Sequence, residues 1–422
     1  MTSENGIQAN RAYVWVWLPG TVTPVVAGVL SRDARGGHGF TYGRSYLRRD
    51  DAISLFPDEL PLQPGGQRRR DDDLHSCLRD AAPDAWGRRV IINRLTGRRG
   101  QDAALVEFDE LTYLLESGSD RIGALDFQAS PSDYRPREFT EASLDELLDA
   151  ALHLERGEPL SPALTLALQH GTSVGGARPK ALLTSGTRKY IAKFSTSTDY
   201  HNVVKAEYLA MRLAGLAGLE AAPVALTRSL GREVLLIERF DRVRQGDGWQ
   251  RRAILSALTL LGLREMEARY ASYEDLAHRV RRDFADARRT LGELYGRMVF
   301  NVLCGNTDDH ARNHAAFWDG RTYRFTPAYD ICPQVRTGGE ASQAMLLTGE
   351  RRDSRLTTCL AAAPAFGLGA EQARTLIDHQ LDVISRQWQS VCDEAQLGTT
   401  ERQALWQRQF LNPYCLEGYR DG

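Results

Sequence analysis

Lysine is nearly absent. Of the 53 lysine and arginine residues only four are lysine, namely Lys180, Lys189, Lys193 and Lys205. Arginine therefore stands almost everywhere that a solvated positive charge suffices. All four lysines fall between positions 180 and 205. An ammonium is a compact point charge that the planar guanidinium fork does not reproduce. Lysine kept against such a bias points to chemistry that demands an ammonium, most directly at Lys180 and Lys193. For Lys189 and Lys205 chance clustering accounts for the observation as well.

Other absences narrow the class further. No apolar run approaches the roughly 18 residues that a membrane span requires. Residues 1–11 are polar and carry no apolar leader segment, so a cytoplasmic location without membrane association is expected. The cysteines Cys77, Cys304, Cys332, Cys359, Cys392 and Cys415 include no Cys-x-x-Cys pair. That excludes a zinc knuckle or a disulfide framework and leaves small buried thiols as the expectation. A net charge of -2 excludes a global positive field for nucleic acid or acidic membrane. There is no internal repeat and no low-complexity tract. What remains is ordinary globular material, 42% hydrophobic and 26% charged, in a chain of 422 residues. That length suffices for a large core and more than one domain.

Alternation and turn signals make the first ~130 residues strand-rich. Residues 13–18 alternate around two tryptophans, and residues 68–73 (RRRDDD) form a charge run expected to be a solvated loop. Residues 82–95 have helical spacing with Pro83 near the start, and two prolines mark 130–136 as a linker. Ser143 and Glu146 form a capping box ahead of Leu144, Leu147, Leu148 and Ala151, with Gly157 as the stop. Apolar runs at 181–183 and 190–194 flank a Ser185-Gly186 turn. A helix over 203–216 and a strand over 233–237 follow, and from ~250 the pattern is mostly helical. The expected fold class is therefore α+β. It divides into a strand-rich amino-terminal subdomain (1–135), a small sheet lobe (140–245) and a helical lobe (246–422), the order used by two-lobed kinases. Fold alone does not fix function.

Phosphoryl transfer requires an ammonium on the phosphates, metal ligands and a carboxylate to orient the acceptor hydroxyl. Residues 171–180 (GTSVGGARPK) sit between two strands, and their small side chains let backbone amides approach phosphate oxygens. A flexible hairpin loop explains the same composition. Lys193 interrupts an apolar strand, which is costly unless it is paired. Glu207, on the next helix, is either its partner or a solvated side chain. In 305–314 (GNTDDHARNH), Asp308 precedes Asn313 with four residues between, the spacing of a catalytic aspartate and a metal-binding asparagine in kinase loops. Asp309 lies beside Asp308, so the choice between them rests on that spacing. Asp330 follows where a second metal-binding aspartate belongs. His310 and His314 are four apart, as zinc ligands can be, although Ala311 stands where the metalloprotease pattern needs a glutamate.

These segments together resemble the HipA family of kinase toxins. Residues 173–180 (SVGGARPK) are similar to its phosphate loop, residues 306–313 (NTDDHARN) to its catalytic loop, and residues 83–89 (PDAWGRR) to its amino-terminal domain. The resemblance spans nearly the whole chain. It implies a HipA- or lipid-kinase-like fold and an ATP- and Mg²⁺-dependent serine/threonine protein kinase. Asp308 would be the catalytic aspartate, with Asn313 and Asp330 holding Mg²⁺. Ser173, Val174, Gly175, Gly176, Lys180, Lys193 and His310 would contact the nucleotide, and the backbone of Glu238 and Phe240 would receive adenine. Ser173 matches a serine that family members phosphorylate on themselves as an off switch; Thr172 is an adjacent acceptor. The implied partners are a HipB-like helix-turn-helix antitoxin, through which DNA is reached, and a protein substrate such as an aminoacyl-tRNA synthetase. The usual Asp-Phe-Gly is replaced by Asp330-Ile331-Cys332, so regulation through a phenylalanine flip is not expected. A small-molecule phosphotransferase and a non-catalytic corepressor are the competing readings.

Overall fold

The computed structural model describes residues 9–71, 73–98, 102–103, 105–137, 142–156, 158, 178–196, 202–336 and 338–419. The chain opens with strands β1 (Arg11–Val16), β2 (Val25–Arg32) and β3 (His38–Tyr42), followed by the short β4 (Gly66–Gln67) and β5 (Leu125–Gln128). They form one sheet in the order β4-β3-β2-β1-β5. The alternation around the tryptophans is real, but both faces of β1 are covered: Trp15 and Trp17 are buried as well as Val14 and Val16. The charge run is solvated as expected at Arg68, Arg70, Asp71 and Asp73, but Arg69 folds inward, donating at 2.6 Å to Glu59.

Helix α1 (Ala85–Thr96) begins one residue after Asp84, whose carboxylate accepts from the Gly87 amide at 2.7 Å. An aspartate there satisfies one of the four amides a helix start leaves unpaired. Gly97 ends the helix in the left-handed region, φ +68°. Helix α2 (Glu110–Glu116) packs beside it, and Arg88 of α1 clamps Glu110 through two bonds of 2.8 Å. Helix α3 (Leu144–Glu155) carries the expected capping box at Ser143 and Glu146; Gly157 lies outside the described residues.

Strands β6 (Lys180–Ser185), β7 (Arg188–Phe194), β8 (Val224–Ser229) and β9 (Arg232–Glu238) form a second antiparallel sheet in the order β6-β7-β9-β8. Helix α4 (Val203–Leu216) lies between β7 and β8 in sequence and packs on β8 and β9. The other face is closed by Trp86 and Val90 of α1 and Leu147 and Leu148 of α3, packed on Ala181, Ala192, Phe194 and Val234. The amino-terminal subdomain is thus part of the sheet lobe's core.

A hairpin, β10 (Arg242–Gln245) and β11 (Gly248–Arg251), leads to a three-stranded sheet of β12 (Ala253–Ser256), β13 (Ala315–Trp318) and β14 (Tyr323–Phe325). The helical lobe is built on α5 (Tyr273–Asp283), α6 (Ala287–Cys304), α7 (Leu356–Ala362) and α8 (Ala370–Glu394). Among the described residues no helix is long and apolar enough to cross a membrane.

A buried charge knot joins the amino-terminal subdomain to the segment leaving β9. Asp120 accepts from Lys189 at 2.6 Å and pairs with Arg239 at 3.1 Å and Arg242 at 2.9 Å. Asp241 holds the same two arginines at 2.8 Å and accepts from the Gly123 amide at 2.8 Å. Burial works against a charged Asp120, but the surrounding cations outweigh it and hold its carboxyl well below the usual range. Lys189 is therefore placed by structure, not by chance. So is Lys205, which is buried and bonded to the Gln396 carbonyl and to Glu233.

Candidate active site

The cleft between the sheet lobe and the helical lobe gathers charge from five distant segments. The register of β6 and β7 sets Lys180 directly opposite Lys193. Like charges at opposed positions repel, so two lysines there need counter-charges. Lys193 has two. Its Nζ donates to Glu207 Oε1 of α4 at 2.6 Å and to Asp330 Oδ1. The sequence left Glu207 open between partner and solvated side chain; it is buried and paired. Burial opposes the Lys193 charge, yet Asp330 and Glu207 outweigh it and raise its pKa. Asp330 responds in kind: burial pushes its carboxyl up, but Lys193 pulls it down to about 2. Glu207 is pushed up by its burial.

Asp330 has φ +59°, in the left-handed region that side chains rarely adopt. Such strain is kept where the surroundings over-determine it. Here it turns the carboxylate towards the Lys193 ammonium.

Helix α6 delivers the Asn-Asp-His-rich loop. It ends at Gly305 with φ +74°, where a Cβ would lie 2.7 Å from the Gln409 carbonyl oxygen, so both conformation and space require glycine. The two adjacent aspartates then part company. Asp309 is buried and bonded to the Tyr273 hydroxyl and, at 2.9 Å, to His314 Nε2. Asn301 donates to the same Tyr273 oxygen at 3.4 Å and accepts from Asn306 at 3.0 Å. This polar pedestal fixes the loop from beneath. Asp308 is exposed, and its carbonyl accepts from Asn313 Nδ2 at 3.3 Å. Partial burial pushes the Asp308 carboxyl up, countered in part by His310. Replacing Asp309 with alanine would remove the carboxylate that Tyr273 and His314 share and leave the two buried groups with each other, 3.2 Å apart. A loss of about 3 kcal/mol in unfolding free energy is expected from urea titration.

The zinc reading of His310 and His314 fails on geometry. They flank a single 3₁₀ turn (Ala311–Asn313), not an α-helical face, and His314 is committed to Asp309. Among the described residues no group of three His, Cys, Asp or Glu could hold a metal. The donor set does fit a hard cation of the Mg²⁺ kind, which takes oxygen from one or two protein side chains and the rest from phosphate and water. Asn313 spends its amide nitrogen on Asp308 and keeps its oxygen, and Asp330 offers its second carboxylate oxygen.

At the far end of the cleft the Glu238 N–H is spent on the Pro223 carbonyl at 2.9 Å, and its side chain pairs with Arg188 at 3.1 Å. The Phe240 ring packs on Phe317 and Tyr329 of the helical lobe, with centroids 5.9 and 5.7 Å apart. His310 is half-buried beside the loop, its Nδ1 buried without a protein partner. The phosphate-loop residues Ser173, Val174, Gly175 and Gly176, with Thr172, lie outside the described residues.

Two residues of the site were not legible in the sequence. Asp84 Oδ2 accepts from Lys180 Nζ at 3.4 Å across 96 residues. Tyr273 props the loop from 36 residues upstream of Asp309. Asp84 did stand inside the helix expected over 82–95 and in the 83–89 segment of the family resemblance, but with no role attached to it.

A sheet lobe with a buried Lys–Glu pair, facing a helical lobe that presents an Asp-x₄-Asn loop and a following aspartate, defines a two-lobed kinase-like α+β fold. The chain belongs to the HipA family. Residues 16–128 match the HipA N-terminal domain and residues 172–388 the HipA-like C-terminal domain. It is 26% identical over 418 residues to Y4mE of Sinorhizobium fredii, named as a kinase, covering 90% of this chain and 92% of that one. It is 28% identical over 240 residues to the serine/threonine-protein kinase toxin HipA of Shewanella oneidensis, covering 51% of this chain and 55% of that one. In structure it resembles HipA in the Shewanella oneidensis complex of HipA, HipB and operator DNA. The TM-score is 0.68 at 18% identity, over 96% of this chain and 99% of that one.

Proposed function

We propose that this protein is an ATP- and Mg²⁺-dependent serine/threonine protein kinase and the toxin of a HipBA-like pair. In this reading it acts in the cytoplasm. One observation carries the kinase reading: Lys193 is held between Glu207 and Asp330, while Asp308, alone of its adjacent pair, is exposed.

Residue by residue, the Lys193 ammonium binds the nucleotide phosphates, and Glu207 keeps it charged and aimed. Lys180 and the amides of Ser173, Val174, Gly175 and Gly176 complete the phosphate contacts, with His310 beside them. The Glu238 carbonyl and the Phe240 amide receive adenine. Asn313 and Asp330 hold the cation, which when bound neutralises charge developing on the transferred phosphoryl group. Asp308 accepts the proton of the acceptor hydroxyl and orients its oxygen in line with the phosphorus. The boundaries proposed from sequence, 1–135, 140–245 and 246–422, place the phosphate residues in the middle unit and the loop in the last.

Ser173 is the proposed autophosphorylation site. A phosphate there adds about two negative charges next to the nucleotide's own and drives the loop out of the cleft. The partner is a helix-turn-helix antitoxin of the HipB kind. The substrate is an aminoacyl-tRNA synthetase, glutamate–tRNA ligase first, whose loss halts translation and produces growth arrest or persistence. Incubating the chain with Mg²⁺-ATP and each purified synthetase tests this. Phosphate on a serine or threonine of one of them is expected. Transfer to small-molecule alcohols only would replace this reading with the phosphotransferase one, and no transfer with tight antitoxin binding would favour the corepressor.

A further inference from the structure

We propose that Asp84, supplied by the amino-terminal subdomain, is a positioning residue that aims the Lys180 ammonium at the nucleotide phosphates. The inference rests on the kinase reading above and adds a residue, and a subdomain, to its phosphate site.

Strand alternation puts Lys180 and Lys193 on one face of the β6–β7 pair and Ala181 and Ala192 on the other. Trp86 of α1 is buried against the alanine face. Asp84, two residues before it, reaches across the edge strand β6 to the lysine face. The carboxylate has two tasks. One oxygen caps α1 through the Gly87 amide at 2.7 Å, and the other accepts from Lys180 Nζ at 3.4 Å. The cap fixes the carboxylate, and the carboxylate in turn fixes the ammonium.

The side chain of Lys180 is only 3% exposed and that of Asp84 11%. A buried ammonium opposite a second lysine is costly unless it has its own counter-charge. Glu207 and Asp330 are both engaged by Lys193. Asp84 is engaged by neither Lys193 nor the proposed cation. Without it, Lys180 is drawn towards Asp330 and into competition with Lys193.

Asparagine caps a helix as well as aspartate does, so Asp84→Asn removes the charge and keeps the cap. The measurement is calorimetric affinity for Mg²⁺-ATP and for adenosine, on wild type, Asp84→Asn, Lys180→Met and the double variant. Asp84→Asn should weaken Mg²⁺-ATP about tenfold, the scale of other orienting partners, with adenosine affinity unchanged, which shows that the site is still folded. Lys180→Met should lose at least as much, and the double variant no more than Lys180→Met, because the two residues act as one unit. Wild-type or tighter Mg²⁺-ATP binding by Asp84→Asn, or losses that multiply in the double variant, would overturn the inference while leaving the kinase reading intact. A wild type that binds no Mg²⁺-ATP would overturn both.

Discussion

Asp308→Ala is expected to lower phosphoryl transfer about a thousandfold and to leave unfolding free energy within about 0.5 kcal/mol of wild type. The two halves of this expectation come from one observation. Asp308 is exposed, and among the described residues only its backbone carbonyl is used, through Asn313. Removing its carboxylate therefore removes the group that accepts the proton but breaks no packing. Asp309→Ala should do the reverse, because its carboxylate is the shared acceptor of Tyr273 and His314. Steady-state transfer and urea denaturation on the two variants would separate the roles. Equal loss of activity with a destabilised Asp308→Ala would contradict the assignment.

Lys193→Met should lower both activity and stability. The ammonium holds two carboxylates, and Asp330 is drawn down to about 2 largely by it once burial is overcome. Without it, Glu207 is left buried and unpaired. Breaking a buried pair from one side costs about 3–5 kcal/mol. Loss of an electrostatic clamp on the phosphates lowers turnover by about 10²–10³. Glu207→Gln, which keeps a hydrogen-bond acceptor for Lys193, should be milder on both counts. A Lys193→Met variant as stable as wild type would mean that the Lys193–Glu207–Asp330 cluster is not held as described.

Much of this was legible in the sequence because the signals were local. The capping box at Ser143 and Glu146, the Ser185-Gly186 hairpin and the helix over 203–216 depend on neighbours within a few residues, and each formed where expected. The Asp308–Asn313 spacing is likewise local. The scarcity of lysine carries information at every position: all four lysines are inward-facing and ion-paired, including Lys189 and Lys205. What the sequence hid was long-range. No periodicity connects Asp84 to Lys180 or Asp120 to Arg239, since those pairs exist only once the subdomains are docked. The fate of the RRRDDD run was hidden for the same reason. Whether Arg69 faces solvent depends on Glu59 and Ser76 being near it.

The most direct test of the central claim is intact mass after incubation with Mg²⁺-ATP, wild type beside Asp308→Ala. A gain of one phosphate in the wild type alone, mapped to Ser173, is the expected result. A wild type that starts without phosphate and gains none, even with the proposed synthetase substrate and antitoxin supplied, would contradict the account.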